Sequence, residues 1–176
     1  MGDIGRIYLD GLRQAFAGQR DLAERAVAQL SPNDLTRQLD AESNSVEMLM
    51  RHIGGNLSSR FADFLETDGE KAERDRDGEF VASAPGEAAE SARRAWDAGW
   101  ATLEAALGAL SPDDLERTVR IRGVAHTVPG ALERSLAHTS HHVGQIVFLA
   151  KHLRSEAWRT LSIPRGQSRT WRPPSA

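Results

Sequence analysis

Apolar side chains return every three or four residues along four separate stretches of this chain, a period that fits α-helices and not strands. Ile4, Tyr8, Leu12, Ala15, Phe16, Leu22, Ala26 and Leu30 predict a first helix over residues 4–30, which Ser31-Pro32 ends. Val46, Leu49, Met50, Ile53, Leu57, Phe61, Phe64 and Leu65 predict a second over 45–66, with Asn44 and Ser45 as caps. A third, over 86–109, begins beside Pro85 and runs through Ala92, Trp96, Trp100, Leu103 and Leu107 to Ser111-Pro112. The fourth, over 129–152, opens at Thr127 and Pro129 and carries Leu132, Leu136, Val143, Ile146 and Val147. Four amphipathic helices with almost no strand signal predict an all-α four-helix bundle. One alternating segment near 118–128, with Gly123 at its turn, predicts a short β-hairpin on the bundle's end.

The links between helices carry two further signals. "QLSPNDL" at 29–35 and "ALSPDDL" at 109–115 are nearly the same phrase, each followed by a histidine-bearing helix. If the echo is structural, the chain is two helix pairs about a pseudo-twofold axis, with His52 facing His138 and His142; convergent helix-end chemistry explains it equally well. Residues 67–84 are long and highly charged for a helix connection, either a linker or a functional loop. Arg74, Asp75, Arg76, Asp77 and Glu79 within it read first as alternating charges in ion pairs and second as substrate contacts. After the last helix, the tail 155–176 carries Trp158, Leu161, Ile163, Pro164 and Trp171, enough apolar surface for its first half to pack down.

Composition narrows the functions. At 176 residues the chain suits a single domain over 1–176. It has no cysteine, so any metal would be held by nitrogen and oxygen. A net charge of −3 with both signs interspersed argues against nucleic acid as a partner. Asp3, Arg6, Asp10 and Arg13 interrupt the N-terminal stretch, so neither a signal peptide nor a membrane span is expected, and a cytoplasmic location is the expectation.

Three of the six histidines fall in "HTSHH", residues 138–142. One helical turn separates His138 from His142, which presents two imidazoles to one point as zinc sites require. His142 sits on the shoulder of the apolar stripe and His138 just beyond it, both able to lean into a groove between helices, whereas His141 points away from the stripe. A third ligand would come from elsewhere, and His52, followed by Gly54-Gly55, has room beside it. Asn56 and Gln145 are candidates to orient ligands or substrate. His126 and His152 have plain structural explanations, and Trp96 and Trp100 read as core.

The phrases "HIGGN" with "SSRFADFLETDGEKAERDRDGEF", "HHVGQIVFLAKHL" and "WRTLSIPRGQS" resemble the DinB-like (DinB/YfiT-like) superfamily of metal-dependent proteins, in its DUF1572 branch, over residues 4 to about 168. The resemblance implies an up-up-down-down bundle, frequent homodimers, and nickel or zinc held by His52, His138 and His142. It also implies a small-molecule substrate, with a low-molecular-weight thiol as cosubstrate in transferase members. A metal-dependent hydrolase and a non-catalytic metal- or ligand-binding bundle are the rival readings. Arg74, Arg76 and Arg165 are the candidates for anchoring an anionic substrate, because guanidinium forks fit planar anions.

Overall fold

The computed structural model describes residues 2–172; Met1 and residues 173–176, the end of the expected tail, lie outside the described residues. Four long helices form the bundle: α1 (Gly2–Val27), α3 (Val46–Phe61), α4 (Pro85–Ala109) and α5 (Val128–Arg154), with a short α2 (Pro32–Leu35) after the first. Strands β1 (Thr118–Ile121) and β2 (Val124–Thr127) pair antiparallel, Thr118 opposite Thr127. The predicted bundle and hairpin are both present. Arg122 and Gly123, at φ 54° and 75°, make the turn, and residues with positive φ at both central positions match the strands' twist.

Two helices end earlier than their apolar pattern. After Val27 the backbone tightens to three-residue steps, Gln29 donating to Ala26 and Leu30 to Val27, so Leu30 packs from a turn rather than a helix. After Phe61, Asp63 takes a left-handed φ of 47°, which stops α3 while Phe64 still reaches the core beside Phe61. The repeated phrase is the same device twice: Ser31 and Ser111 each exchange capping hydrogen bonds with the aspartate three residues on, Asp34 and Asp114.

Hydrogen bonds between elements fix the helix directions. Tyr8 meets Pro129 and Glu133, while Arg25 and Gln29 meet Leu161 and Arg159, so α1 and α5 run the same way. Arg13 donates to Leu107 and Glu24 accepts from Trp96, so α4 runs opposite to α1. Glu47 bonds Ser83 just before α4, and Gly54 lies against Ala95, so α3 and α4 are parallel. The order is therefore up-down-down-up, which corrects the expected up-up-down-down. The long segment 62–84 is its consequence. Two parallel neighbours require a connection that returns the length of α3, about 24 Å for its 16 residues at 1.5 Å each.

This crossover is tied down along its course. Asp68 accepts from the backbone N–H groups of Arg122 and Gly123 at 2.8 and 2.7 Å, pinning it to the hairpin. At the other end the buried Glu47 accepts from Ser83, and Arg51 donates to Gly78 and Val81. Close helix contact sets the depth of the site. A Cβ on Gly54 would collide with the Ala95 carbonyl and one on Gly99 with Gly54, so these glycines bring the backbones of α3 and α4 together. Trp96 and Trp100 are both 1% exposed and belong to the core. The tail packs through Trp158 and Leu161, with Gln29 and Arg159 bonded in both directions.

Candidate metal centre

His52 comes from the middle of α3, His138 and His142 from successive turns of α5. Antiparallel packing of those helices sets the two faces against each other. One ligating atom from each of the three lies within 4.8 Å of the others. The rings stand steeply to one another, with centroids 5.1 Å apart for His52 and His138, 4.8 Å for His52 and His142, and 4.6 Å for His138 and His142. His52 Nε2 and His138 Nε2 face each other at 3.2 Å.

The outer nitrogens explain the orientation. Glu79 Oε2 lies 2.8 Å from His52 Nδ1, and Gln145 Oε1 lies 2.8 Å from His142 Nδ1. Assigning each Nδ1 as the donor, which these acceptors require, leaves Nε2 of both rings with a free lone pair, and that of His52 is turned towards His138. Carboxylate and amide partners of this kind commonly set the tautomer of metal-binding histidines. Glu79 is itself clamped by Arg74 through two contacts of 2.8 Å. Burial raises the Glu79 carboxyl's pKa, but the bonds from His52 and Arg74 outweigh it and hold the group below its usual range. The carboxylate rests where Gly55 has no side chain, since a Cβ there would meet Glu79 Oε1 and come within 2.9 Å of Cδ. Gly54 and Gly55 therefore leave room for α4 and for Glu79, rather than the open space expected beside His52.

His138 differs from the other two. Its Nδ1 is buried without a hydrogen-bond partner among the described residues. Burial pushes its pKa down to about 3, with His142 and His52 and then Arg74 and Arg60 adding to the effect. Burial also lowers His142, partly offset by the bond to Gln145. An imidazole that stays neutral keeps its lone pair free, the form a metal ligand needs. Three convergent, largely buried nitrogens with two orienting partners thus fit a divalent cation.

A cavity of about 410 Å³ opens beside His52 and His138. Asn56, 7% exposed, lines it, as do Arg74 and Arg76; no hydrogen bond joins Asn56 to a histidine. Arg74 is engaged by Glu79, so of the proposed anchors it holds the site together instead of standing free. Arg76 stacks over Phe80, 5.6 Å from the ring, and Phe80 in turn covers His52 at 4.7 Å. Arg165 is exposed in the tail and does not line this cavity, so the tail turn leaves it out of the site. His141 is exposed, His126 lies on β2 and His152 is exposed in the last turn of α5. Glu79 was not apparent from sequence, where it is one charge in an alternating run; the length of that run and the glycine after His52 were the only signals.

No helix among the described residues is long and apolar enough to cross a membrane. A family model described as "Protein of unknown function (DUF1572)" matches residues 3–167. No curated protein and no solved structure matches the chain significantly.

Proposed function

We propose, for a chain that belongs to the DUF1572 family and through it to the DinB-like superfamily, that His52, His138 and His142 hold one divalent metal, nickel or zinc, used to transfer a small thiol to an electrophile. The observation that carries the reading is the convergence of three imidazoles from two helices within 4.8 Å. Imidazole nitrogens suit zinc and nickel, and three protein ligands leave a position for substrate. A metal bound there supplies Lewis acidity, which favours the anionic form of a thiol or water at neutral pH.

The chain's own residues do the rest. Glu79 holds the proton on His52 Nδ1 and Gln145 the one on His142 Nδ1. Phe80 shields one face of His52 from water. Arg76, whose nearest carboxylate is Asp77 at 3.9 Å, is placed to meet a carboxylate of the thiol or its acceptor. Thiol transfer is favoured over hydrolysis because hydrolysis needs a base for the water. No carboxylate lines the cavity, and both oxygens of Glu79 are already engaged. Phe148 is 64% exposed beside Leu39, not covered by the described residues of the tail, and we assign this face to a homodimer contact.

The test is metal analysis of purified full-length protein, followed by thiol consumption assays with electrophiles, with esters in parallel. One equivalent of metal and thiol turnover, both lost in His138→Ala, are expected. Ester turnover without thiol would replace transfer by hydrolysis, and absence of metal from correctly folded protein would overturn the reading.

A further inference from the structure

Arginines dominate the cavity wall beside the histidines far beyond what orienting them requires. Arg60, Arg74, Arg76, Arg122 and Arg134 line it, with no aspartate or glutamate, in a chain whose net charge is −3. Arg74 is neutralised by Glu79. Across the cavity, Arg60 rises from the end of α3, Arg122 from the hairpin turn and Arg134 from the second turn of α5. Glu70 serves two of these, 3.2 Å from Arg122 and 3.6 Å from Arg60, and Arg134 has no ion pair among the described residues. Arg60 is only 8% exposed and donates to the Gly69 carbonyl at 3.0 Å. Burial lowers its pKa, Glu70 opposes this, and Arg74, Arg134 and Arg122 add to the lowering, the mark of guanidiniums crowded together.

A second observation lies in the same wall. Ser135, one residue after Arg134 and 4% exposed, lines the cavity, and its Oγ has no hydrogen-bond partner among the described residues. Buried hydroxyls are normally satisfied, so one left unpartnered within a cationic wall can donate to a ligand's oxygen after a small side-chain rotation. Glu70 offsets only part of the charge of the three guanidiniums, and guanidinium forks bind planar or tetrahedral oxyanions through paired hydrogen bonds.

We propose that Arg60, Arg122, Arg134 and Ser135 form an oxyanion subsite that takes the carboxylate or phosphate end of a small dianionic substrate and directs its other end to the histidine cluster. The volume of about 410 Å³ is within the range of small-metabolite sites. The placement of the substrate's reacting end rests on the metal-site reading above, but the subsite stands on its own residues and is tested separately.

Isothermal titration of the full chain, both zinc-loaded and EDTA-treated, with inorganic phosphate, maleate and acetate supplies the test. Phosphate and maleate are expected to bind in both forms, more weakly as salt rises, and acetate roughly tenfold less tightly. Arg134→Gln and Arg122→Gln should each weaken the dianions about tenfold or more, the scale of one charge-assisted hydrogen bond, and leave zinc stoichiometry unchanged. Both residues are exposed, so their replacement leaves the core intact. Dianion binding that ignores both arginines, that occurs only with zinc, or that is absent at millimolar concentration would overturn the proposal. Arginine-dependent binding by a protein that takes up no zinc would uphold the subsite and sink the metal reading alone.

Discussion

Gly55→Ala tests the centre without touching any proposed ligand. Its Cβ would meet Glu79 Oε1 and approach Cδ to 2.9 Å. Ordinary contact begins near 3.4 Å, so Cδ must retreat by about 0.5 Å and Oε1 by more. The 2.8 Å contact from Glu79 Oε2 to His52 Nδ1 then stretches beyond good hydrogen-bond length. Loss of such a partner typically lowers metal affinity by 10–100-fold, which corresponds to about 1.4–2.7 kcal/mol. Folding moves less. Alanine exceeds glycine by about 0.8–1 kcal/mol in a helix interior, offsetting part of the damage to the Glu79–Arg74 pair. Competition with a chelator measures zinc affinity, and urea unfolding of metal-free protein measures stability. Weaker zinc at near-constant stability is expected, with Glu79→Gln showing the same loss. Unchanged affinity in both variants would refute the role given to Glu79. A loss in Gly55→Ala alone would place its cause in a shift of α3.

Other perturbations separate the remaining assignments. Alanine at His142 should abolish stoichiometric zinc binding and at His141 should leave it intact; equal loss would show that the exposed ring also ligates. Gly54→Ala should destabilise by roughly 1–3 kcal/mol, because its Cβ meets the backbone of α4 and not a movable side chain, read as a lower urea midpoint. Gly18→Ala, with open space around its Cβ in α1, should instead stabilise by about 0.5–1 kcal/mol. Metal-free protein should lose stability as pH falls from about 6.5 towards about 3. Over that window the unfolded chain protonates His138 and the folded chain resists, so the His138 contribution is complete above 6.5. The slope from this one proton is at most about 1.36 kcal/mol per pH unit, less for its partial exposure; it should be absent in His138→Gln and so appear as the pH-dependent difference between wild type and that variant.

The helices were legible because each buries one stripe against a common core, which imposes its period on the sequence. Their directions were not, since a stripe looks the same read either way. Here the length of 62–84 held the information: Glu47, placed at 83 rather than 109 by its bonds to Ser83, shows α3 and α4 starting together. Helix ends were overrun at Leu30 and at Phe64-Leu65 because turns can deliver apolar groups to a core as helices do.

The same asymmetry governs the site. His138 and His142 are visible from their separation by one helical turn, a local relation that any helix preserves. His52 needed two helices to meet, and its meeting with them follows from α3 and α5 running antiparallel. Glu79 needed more: a crossover pinned at Asp68 to the hairpin and at Ser83 to Glu47, so that its carboxylate settles over a glycine on α3. Its neighbours Asp75 and Asp77 have the same charge and the same loop, yet both are exposed, Asp77 completely. Charge pattern could not choose among the three, because what distinguishes Glu79 is the space left by Gly55. Arg60, Arg122 and Arg134 come from three elements and share no motif. Their common cavity exists only once the hairpin folds back on the crossover, so the chemistry of that wall is a product of tertiary structure alone.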